Sequence, residues 1–450
     1  MTLLHGWGHH PVIEAHTETR EDLSLASEHA VLSRGLGRAY GDAALTPRSD
    51  TGTVSVTTRA NRVLSFDAQT GFLRAEAGLS LSDLAHTYLP RGFFTPVSPG
   101  TQYVTLGGMV AADIHGKNHH VDGTFGRHVR QLTMRVGDGR VLTVSRDQEP
   151  ELFAATLGGM GLTGHILDVE VQLAAVPSPW LVEESERFGS TAAVFDALNA
   201  ASESWPMTVA WIDTSIGGPA AGRGIVVKGR WATPQEAPEH PPGRQRSIRV
   251  PPIFPSGVMN RATIRGLNTL WYRKHPRRPV HRVVSPGHMF WQLDLATEWY
   301  RGYGKRGFTQ YQCIMPRDLG VYERFLALFR GLGGSSFVTV FKDCGEAGEG
   351  LLSFPMRGTS LALDIPITTV EAATAMVREL NAFVIDHGGR VYLAKDAFTT
   401  AGDLRRMYPQ IDAFQAVRAR FDPEQRIRSA LGKRLLPRQE VKATAVARGL

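Results

Sequence analysis

One glycine- and histidine-rich segment carries the densest set of residues that could do chemistry. It covers residues 107–126 and reads GGMVAADIHGKNHHVDGTFG. Five polar residues fall within six positions of it: His115, Lys117, Asn118, His119 and His120. Small residues let a backbone approach a flat ligand, and successive amides can form a nest for an anion. A metal site and a plain surface loop are the alternatives, but no second carboxylate-rich cluster supports a metal. The glycine spacing therefore favours a cofactor loop without a metal.

Two further glycine-rich turns occur outside this segment. Residues 34–42 read RGLGRAYGD after a short apolar stretch, but Tyr40 replaces the third glycine of a dinucleotide-binding fingerprint. A formally complete G-x-G-x-x-G lies within residues 159–164. It follows a helical pattern and leads into a strand, which is the reverse of the order in a Rossmann fold. The sequence therefore predicts ligand-binding glycine loops without a Rossmann domain.

Polar side chains in or beside apolar strands form a second group of candidates. They are Gln310 and Gln312, Lys342, and Lys395 with Asp396. Buried lysines are rare unless they are paired or functional. Each of these residues taken alone fits a strand end that reaches solvent, whereas together they predict the polar lining of a pocket.

The elements that must position these residues change in character near residue 178. The first part predicts a hairpin strand over 73–78, a helix capped by Ser80 that runs to Tyr88, and a strand over 167–173. The second part predicts helices over 318–332 and 369–387, strands over 337–341, 361–365 and 391–394, and a helical tail to about residue 432.

Two segments rich in proline and arginine interrupt the second part. They cover residues 232–256 and 271–282 and have no periodic pattern. Ordinary surface loops and flexible lids over a site are both open interpretations.

Composition limits the class of protein. The chain has 450 residues, 42% of them hydrophobic and 21% charged, so it can bury a large core and suggests two domains. A net charge of +7 is modest, and no basic stripe with interleaved aromatics indicates nucleic-acid binding. Neither a signal peptide nor a transmembrane segment is evident. With two cysteines, Cys313 and Cys344, the sequence predicts a protein that is cytoplasmic or peripheral to a membrane.

Several motifs together resemble a known family. The segments GLGRAYGD, SPGTQYVTLGGMVAADIHGKNHH, GTFGRHV and GGMGLTG resemble the FAD domain of the vanillyl-alcohol-oxidase superfamily. With LWYRK, QYQ, VFK, LDIPI and YLAKD added, the chain resembles the decaprenylphosphoryl-β-D-ribose 2′-oxidase family. The resemblance implies an α+β fold of two domains, with a PCMH-type FAD-binding domain formed by residues 1–177 and 390–450. A sheet-based substrate domain over 178–389 is inserted before the C-terminal tail.

The resemblance also implies roles for individual residues. Cofactor contacts are expected from Arg34, Gly35, Leu36, Gly37, Arg38, Ala39, Tyr40, Gly41, Pro99, Gly100, Thr101, Val104, Thr105, Gly107, Gly108, Ala111, Asp113, His115, Gly116, Asn118, His119, Gly161, Gly164, Ile166 and Tyr392. Substrate contacts are expected from Tyr40, Gln310, Gln312, Lys342 and Ser360, and catalysis from Lys395 and His115. Members that tether the flavin use a histidine in the first glycine-rich loop. Residues 34–42 contain neither histidine nor cysteine, so FAD is expected to be bound non-covalently.

The implied activity is hydride transfer from a sugar carbinol to the flavin, with loss of the hydroxyl proton to a base. Its substrate is a polyprenyl-phosphoryl ribose, which is oxidised to the 2-keto form as the first half of an epimerisation in the synthesis of cell-wall arabinan precursors. A separate NAD(P)H-dependent keto-sugar reductase and peripheral membrane contact are implied partners. An oxidase of a soluble polyol or aldonolactone, and a flavin-binding scaffold without turnover, are the alternatives.

Two positions depart from the family pattern. Ala362 stands where mycobacterial members carry a cysteine that covalent inhibitors target, and Ser360 replaces an asparagine. The first change puts sensitivity to those inhibitors in doubt, and both changes leave the identity of the substrate open.

Overall fold

The computed structural model describes residues 1–437, and residues 1–175 form small sheets. A four-stranded sheet contains β1 (Thr2–His5), β2 (Val12–Glu18), β3 (Ala30–Arg34) and β4 (Thr53–Val56), in the order β1-β2-β4-β3. The next strands are β5 (Val63–Phe66), β6 (Phe72–Glu76), β7 (Phe93–Phe94), β8 (Val129–Arg135), β9 (Val141–Ser145), β10 (His165–Gln172) and β11 (Ala174–Ala175). Five of these form an antiparallel sheet in the order β5-β6-β10-β8-β9, and β7 pairs with β11.

The helices of this part are short and connect the strands. They are α1 (Leu23–Ala26), α2 (Leu81–Tyr88), α3 (Leu106–Ala111), α4 (His119–Asp122) and α5 (Pro150–Thr156). The predicted start of α2 is confirmed, because the Ser80 hydroxyl accepts the Asp83 N–H at 3.0 Å. The predicted strand after the turn at residues 67–71 is confirmed as β6.

An eight-stranded antiparallel sheet dominates the rest of the chain. The strands of this part of the chain are β12 (Leu181–Phe188), β13 (Met207–Ile212), β14 (Gly224–Trp231), β15 (Ile248–Arg249), β16 (Val280–Val284), β17 (Ala296–Thr297), β18 (Phe308–Met315), β19 (Val340–Cys344), β20 (Gly358–Pro366) and β21 (Arg390–Val391). All of them except β15 and β17 belong to the large sheet. The order is β16-β12-β14-β13-β19-β20-β18-β21, and β15 pairs separately with β17.

Helices cover one face of this large sheet, here called the back face. The helices of the second part are α6 (Thr191–Ser204), α7 (Arg261–Lys274), α8 (Pro286–Phe290), α9 (Leu319–Gly331), α10 (Val370–Asp386), α11 (Ala401–Met407), α12 (Ile411–Phe421) and α13 (Ala430–Leu435). Tyr322 of α9 contacts Phe341 with ring centroids 5.3 Å apart, and Asn381 of α10 accepts the Tyr311 hydroxyl at 3.0 Å. Because side chains alternate along a strand, the neighbours of these back-face residues point to the opposite, front face.

The C-terminal helices return to the first part of the chain. Arg434 of α13 binds Asp42 at 2.7 Å and Asp396 at 2.8 Å, and both carboxylates are buried. This arginine therefore joins the tail to the first glycine-rich loop and to the segment that carries Lys395.

The predicted α+β class is confirmed, while the domain borders stay a prediction. Two predicted strands are misplaced. The strand predicted over 337–341 runs from Val340 to Cys344, because Val340 pairs with Trp211 of β13 and with Ala362 of β20. The strand predicted over 391–394 pairs with the sheet at residues 390 and 391, and a 3-10 turn follows over Leu393–Lys395.

The interpretation of residues 271–282 as a loop is wrong at both ends. Residues 271–274 are the last turn of α7, which begins at a capping box between Asn260 and Thr263 and ends before Pro276. Residues 280–284 form the edge strand β16. The basic composition concealed this helix because its N-cap residue, Asn260, lies eleven residues before the segment.

Within residues 1–437, no helix is both long enough and apolar enough to cross a bilayer. Cys313 and Cys344 are both buried and free of a disulfide.

Candidate active site

The front face of the large sheet and the glycine-rich loops enclose a cavity of about 840 Å³. Strand register places Gln312, Ala362, Val340, Trp211 and Ile225 directly opposite one another across five neighbouring strands of its floor. Residues of the loops 33–40, 98–108, 111–117 and 160–166 line the other side. A cavity of this size suits a large cofactor with its substrate.

The first glycine-rich loop offers backbone donors to the cavity. Among residues 1–437, the N–H groups of Leu36, Gly37, Arg38 and Ala39 have no hydrogen-bond acceptor. Consecutive free N–H groups around a residue with positive φ form a nest for an anion, and Gly37 has φ of 65°. A pyrophosphate group fits this nest.

Two glycines leave room for a flat ligand. A Cβ on Gly100 or Gly161 would meet no protein atom within 4 Å, and both residues border the cavity. Gly35 instead lets its loop pack closely against Thr105, because a Cβ at residue 35 would lie 2.3 Å from the Thr105 hydroxyl. Glycine thus brings two cofactor loops into contact and keeps the space between them open.

His115 lies at the centre of the polar group on the cavity floor. Lys342 Nζ lies 3.2 Å from its Nδ1, and the Gln312 amide lies 3.0 Å from its Nε2. Gln312 also donates to the Ser360 hydroxyl at 2.8 Å. Burial, assisted by the charge of Lys342, holds the pKa of His115 well below its usual range, so the ring is neutral.

Lys395 is held by a chain of buried hydrogen bonds. Its Nζ donates to Gln310, Gln310 donates to Asp364 at 2.8 Å, and the Tyr303 hydroxyl donates to the same carboxylate at 2.9 Å. Burial, reinforced by the neighbouring charge of Lys342, lowers the pKa of Lys395 to about 7. Burial also raises the pKa of Asp364 to about 6.

A third lysine, Lys117, reaches the same cavity. Its Nζ lies 3.4 Å from the Phe290 carbonyl, and no carboxylate of the described residues lies within 4.0 Å of it. Burial and then the charge of Lys342 lower the pKa of Lys117 to about 7. With Lys274, which also borders it, four lysines line one cavity, which makes it suited to an anionic ligand.

Most of the residues expected to bind cofactor or substrate border the cavity. They are Gly35, Leu36, Gly37, Arg38, Ala39, Tyr40, Pro99, Gly100, Thr101, Val104, Thr105, Gly107, Gly108, Ala111, His115, Gly116, Gly161, Gly164, Ile166, Gln310, Gln312, Lys342, Tyr392 and Lys395.

Arg34, Gly41 and Asp113 do not border the cavity, so their expected contacts with the cofactor stay a prediction. Arg34 donates to the carbonyls of His5 and Ala44, both at 2.9 Å. Gly41 packs against Asp396, whose carbonyl oxygen would lie 1.6 Å from an added Cβ. Asp113 is fully buried and accepts the Gly126 N–H at 2.8 Å. These residues hold the loops in place.

Asn118, His119 and Ser360 also do not border the cavity, and their expected ligand contacts likewise stay a prediction. Asn118 donates to the Pro96 carbonyl at 2.7 Å, and His119 Nδ1 accepts the Gly345 N–H at 3.1 Å. Ser360 is fully buried behind Gln312. The three side chains therefore support residues that face the cavity.

Residues far apart in the sequence complete the lining and were missed. Trp7 stacks on the Arg38 guanidinium at 3.8 Å, and Asp294 accepts the Gln102 N–H at 2.8 Å. Lys117 lies in the glycine- and histidine-rich segment 107–126, but no catalytic or binding function was predicted for it. A lysine in a run of glycine and histidine was the available signal for it, whereas Trp7 and Asp294 gave none.

Comparisons with known proteins agree with this geometry. A family model described as an FAD binding domain matches residues 15–145, which contain the anion nest and the loop of His115. A model described as D-arabinono-1,4-lactone oxidase matches residues 364–435. The glycine loops, the nest and the cavity fit FAD, and the protein is an FAD-dependent oxidoreductase that acts on CH–OH groups of sugars.

Full-length relatives define the family. The chain is 35% identical over 416 residues to a decaprenylphosphoryl-β-D-ribose oxidase of Mycolicibacterium smegmatis, which covers 90% of this chain and 89% of the relative. This protein belongs to the decaprenylphosphoryl-β-D-ribose oxidase family. It is also 23% identical to an L-gulono-1,4-lactone dehydrogenase of Mycobacterium tuberculosis, over 87% of this chain and 86% of the relative. An L-gulonolactone oxidase of Mus musculus is 31% identical over 37% of each chain.

Proposed function

We propose that this protein oxidises the 2′-hydroxyl of a polyprenyl-phosphoryl ribose to the 2-keto form. The observation that carries the proposal is the pair of half-buried lysines, Lys342 and Lys395, beside His115 and opposite the glycine loops. The relative with 35% identity is named for oxidation of decaprenylphosphoryl ribose. The keto sugar is then the first product of an epimerisation that serves cell-wall arabinan synthesis.

Lys395 accepts the proton of the reacting hydroxyl. FAD, when bound, supplies the hydride acceptor, so the protein must orient the alcohol and remove its proton. With a pKa of about 7, Lys395 is neutral in a large fraction of molecules at neutral pH. Gln310 accepts from its Nζ and is itself held by Asp364, and the Tyr40 ring lies 5.4 Å from the Nζ. The amine is therefore both available and fixed in place.

His115 positions polar groups rather than taking up the proton itself. Its Nδ1 faces Lys342 and its Nε2 faces Gln312, so both ring nitrogens are occupied. Lys342 and Gln312 are then held in one orientation on the cavity floor, where Lys342 stabilises the sugar oxygen or the phosphate as a point charge.

FAD is held without a covalent bond. Residues 34–42, which supply the anion nest, contain neither histidine nor cysteine. The nest, the loops and the surrounding side chains therefore provide the binding energy, and the cofactor dissociates when the fold is lost.

The keto sugar needs a second enzyme. Oxidation removes the stereochemistry at the reacting carbon, so an NAD(P)H-dependent reductase that delivers hydride to the opposite face produces the epimer. This reductase is a partner in reaction sequence.

Peripheral contact with a membrane follows from a lipid-linked substrate. Helix α7 exposes Leu267 and Leu270, which are 41% and 69% accessible, and Lys274 follows at its end. Ile253, in the segment 232–256, is 77% exposed. Exposed apolar residues with neighbouring cations suit an anionic lipid surface, where each cation contributes about 1 kcal/mol.

Anaerobic bleaching of the flavin tests the proposed function. The purified holoenzyme is mixed in turn with a polyprenyl-phosphoryl ribose, a free polyol and an aldonolactone. Rapid bleaching by the phosphoryl ribose supports the proposal. Bleaching by the polyol or aldonolactone alone supports the second candidate, which rests on the lactone-oxidase match at residues 364–435. No bleaching by any of them indicates a scaffold without turnover.

A further inference from the structure

The cavity continues well beyond the reaction centre along the front face of the sheet. From Val340 it crosses Trp211 of β13 and Ile225 of β14, and beside these it crosses Val209 and Val227. All four residues of β13 and β14 are apolar and border the cavity. Since strands lie about 4.8 Å apart, this floor extends about 14 Å from β19 to β12.

Polar residues form a rim at the far end of this floor. Glu183 of β12 lies opposite Arg282 of β16 and 3.4 Å from His288, and His275 and Lys274 border the same end. Four strand spacings place the strand of Arg282 about 19 Å from that of Lys342. Among residues 1–437, Arg282 and Lys274 have no carboxylate partner within 4.0 Å.

The distance decides where a phosphate can bind. In a phosphoryl ribose, only the anomeric carbon and one bridging oxygen separate the phosphorus from the reacting carbon. The phosphate must therefore lie close to Lys342 and Lys395, not at the rim beside Arg282. Lys117 borders the cavity, has no carboxylate partner within 4.0 Å among residues 1–437, and lies close enough to Lys342 for that charge to lower its pKa, so it is the cation placed to receive the phosphate.

The outer end of the floor lies beside helix α7. Trp271 and Lys274 border the cavity, and the exposed Leu267 and Leu270 lie one turn earlier on the same helix. The apolar floor therefore leads from the reaction centre to the polar rim, and the exposed leucines of α7 lie beyond that rim, in the direction that a membrane-embedded prenyl chain requires.

We propose that this floor, here called the tail groove, binds the first isoprene units of the substrate, with Lys117 on the phosphate at its inner end. The tail groove consists of Val209, Trp211, Ile225 and Val227. The inference rests on the proposed function and adds a lipid-binding site to it. The prenyl tail leaves the groove beside α7, and the remainder of the prenyl tail stays in the bilayer.

Chain length in the wild-type holoenzyme provides the first test. Ribosyl phosphodiesters with methyl, geranyl and farnesyl tails are compared in detergent by anaerobic flavin bleaching. Burial of each isoprene unit raises kcat/KM by at least about tenfold. Equal kcat/KM for the three substrates overturns the tail groove but leaves the oxidation in place, whereas no bleaching by any of them overturns the proposed function.

A pair of variants provides the second test. Val209→Thr with Val227→Thr keeps the side-chain shape and places two hydroxyls against the tail. In this variant the ratio of kcat/KM for the farnesyl substrate to that for the methyl substrate falls by about tenfold or more. The matched control is Val63→Thr with Val141→Thr, two exposed valines of the five-stranded sheet. An equal loss for both substrates, or the same change in the control, contradicts the proposal.

Lys117→Met tests the inner end of the groove. The variant raises KM for the methyl and farnesyl substrates by the same factor, because both carry the phosphate, and Lys117→Arg restores most of the affinity. A KM that changes with the farnesyl substrate alone removes Lys117 from the phosphate site.

Discussion

Replacement of Lys395 is the most direct test of the reaction chemistry. A lysine with the unperturbed pKa of about 10.4 is neutral in roughly 4 × 10⁻⁴ of molecules at pH 7, whereas a pKa of about 7 leaves about half of them neutral. Burial therefore increases the amount of free base by about 10³-fold. Loss of a positioned base costs about 10²–10⁴-fold in rate, so Lys395→Met lowers flavin reduction by that factor.

The pH dependence of kcat/KM tests whether Lys395 reacts as the neutral amine. The amine accepts a proton only when it is neutral, so kcat/KM rises about tenfold per pH unit below about pH 7 and levels off above it. Lys342 contributes to the low pKa of Lys395 by charge repulsion. Lys342→Met therefore raises the pKa of Lys395 and moves the rising limb to higher pH.

Stopped-flow bleaching of the flavin under anaerobic conditions measures both effects. Lys395→Arg keeps a positive charge but provides no base, so its rate falls like that of Lys395→Met. The matched control is Lys433→Met, which removes an exposed lysine on α13. A rate within about threefold of wild type in Lys395→Met, or a flat profile from about pH 5 to about pH 9, refutes the assignment.

Three further outcomes are expected. Acid or heat releases free FAD into the supernatant, because residues 34–42 lack a tethering side chain; flavin that stays with the precipitate contradicts this. Arg434→Met breaks two buried ion pairs and lowers the free energy of unfolding by about 3 kcal/mol. With an unfolding entropy of about 2.1 cal/mol/K per residue, this lowers the Tm measured by calorimetry by about 3 °C. The control Arg405→Met removes an exposed ion pair and changes Tm by less than about 1 °C. Leu267→Asn with Leu270→Asn weakens sedimentation with anionic liposomes and leaves the rate on a short-tailed substrate unchanged; unchanged sedimentation removes α7 from membrane contact.

Much of the local structure could be predicted from the sequence because its signals are short-range. Ser80 caps α2 and Thr369 caps α10 through hydrogen bonds to residues three positions later, so a few letters suffice to predict both starts. The glycine loops were recognisable for the same reason, since glycine is needed where a chain turns with positive φ or approaches a ligand closely. These signals, with the family resemblance, were sufficient to predict the fold class, and most of the cofactor and substrate residues predicted from them border the cavity.

Tertiary structure alone decided which polar residues meet. Alternation along β19 predicts that Val340 and Lys342 share a face, but not which face the helices cover. The pairing of Val340 with Trp211, which borders the cavity, places Lys342 on the cavity side. Asp113 and His119 lie beside His115 in sequence, yet both turn away from the cavity. The low pKa of Lys395 likewise depends on burial by distant segments. Cavity walls, burial and charge proximity arise from contacts between residues hundreds of positions apart, and no local pattern encodes them.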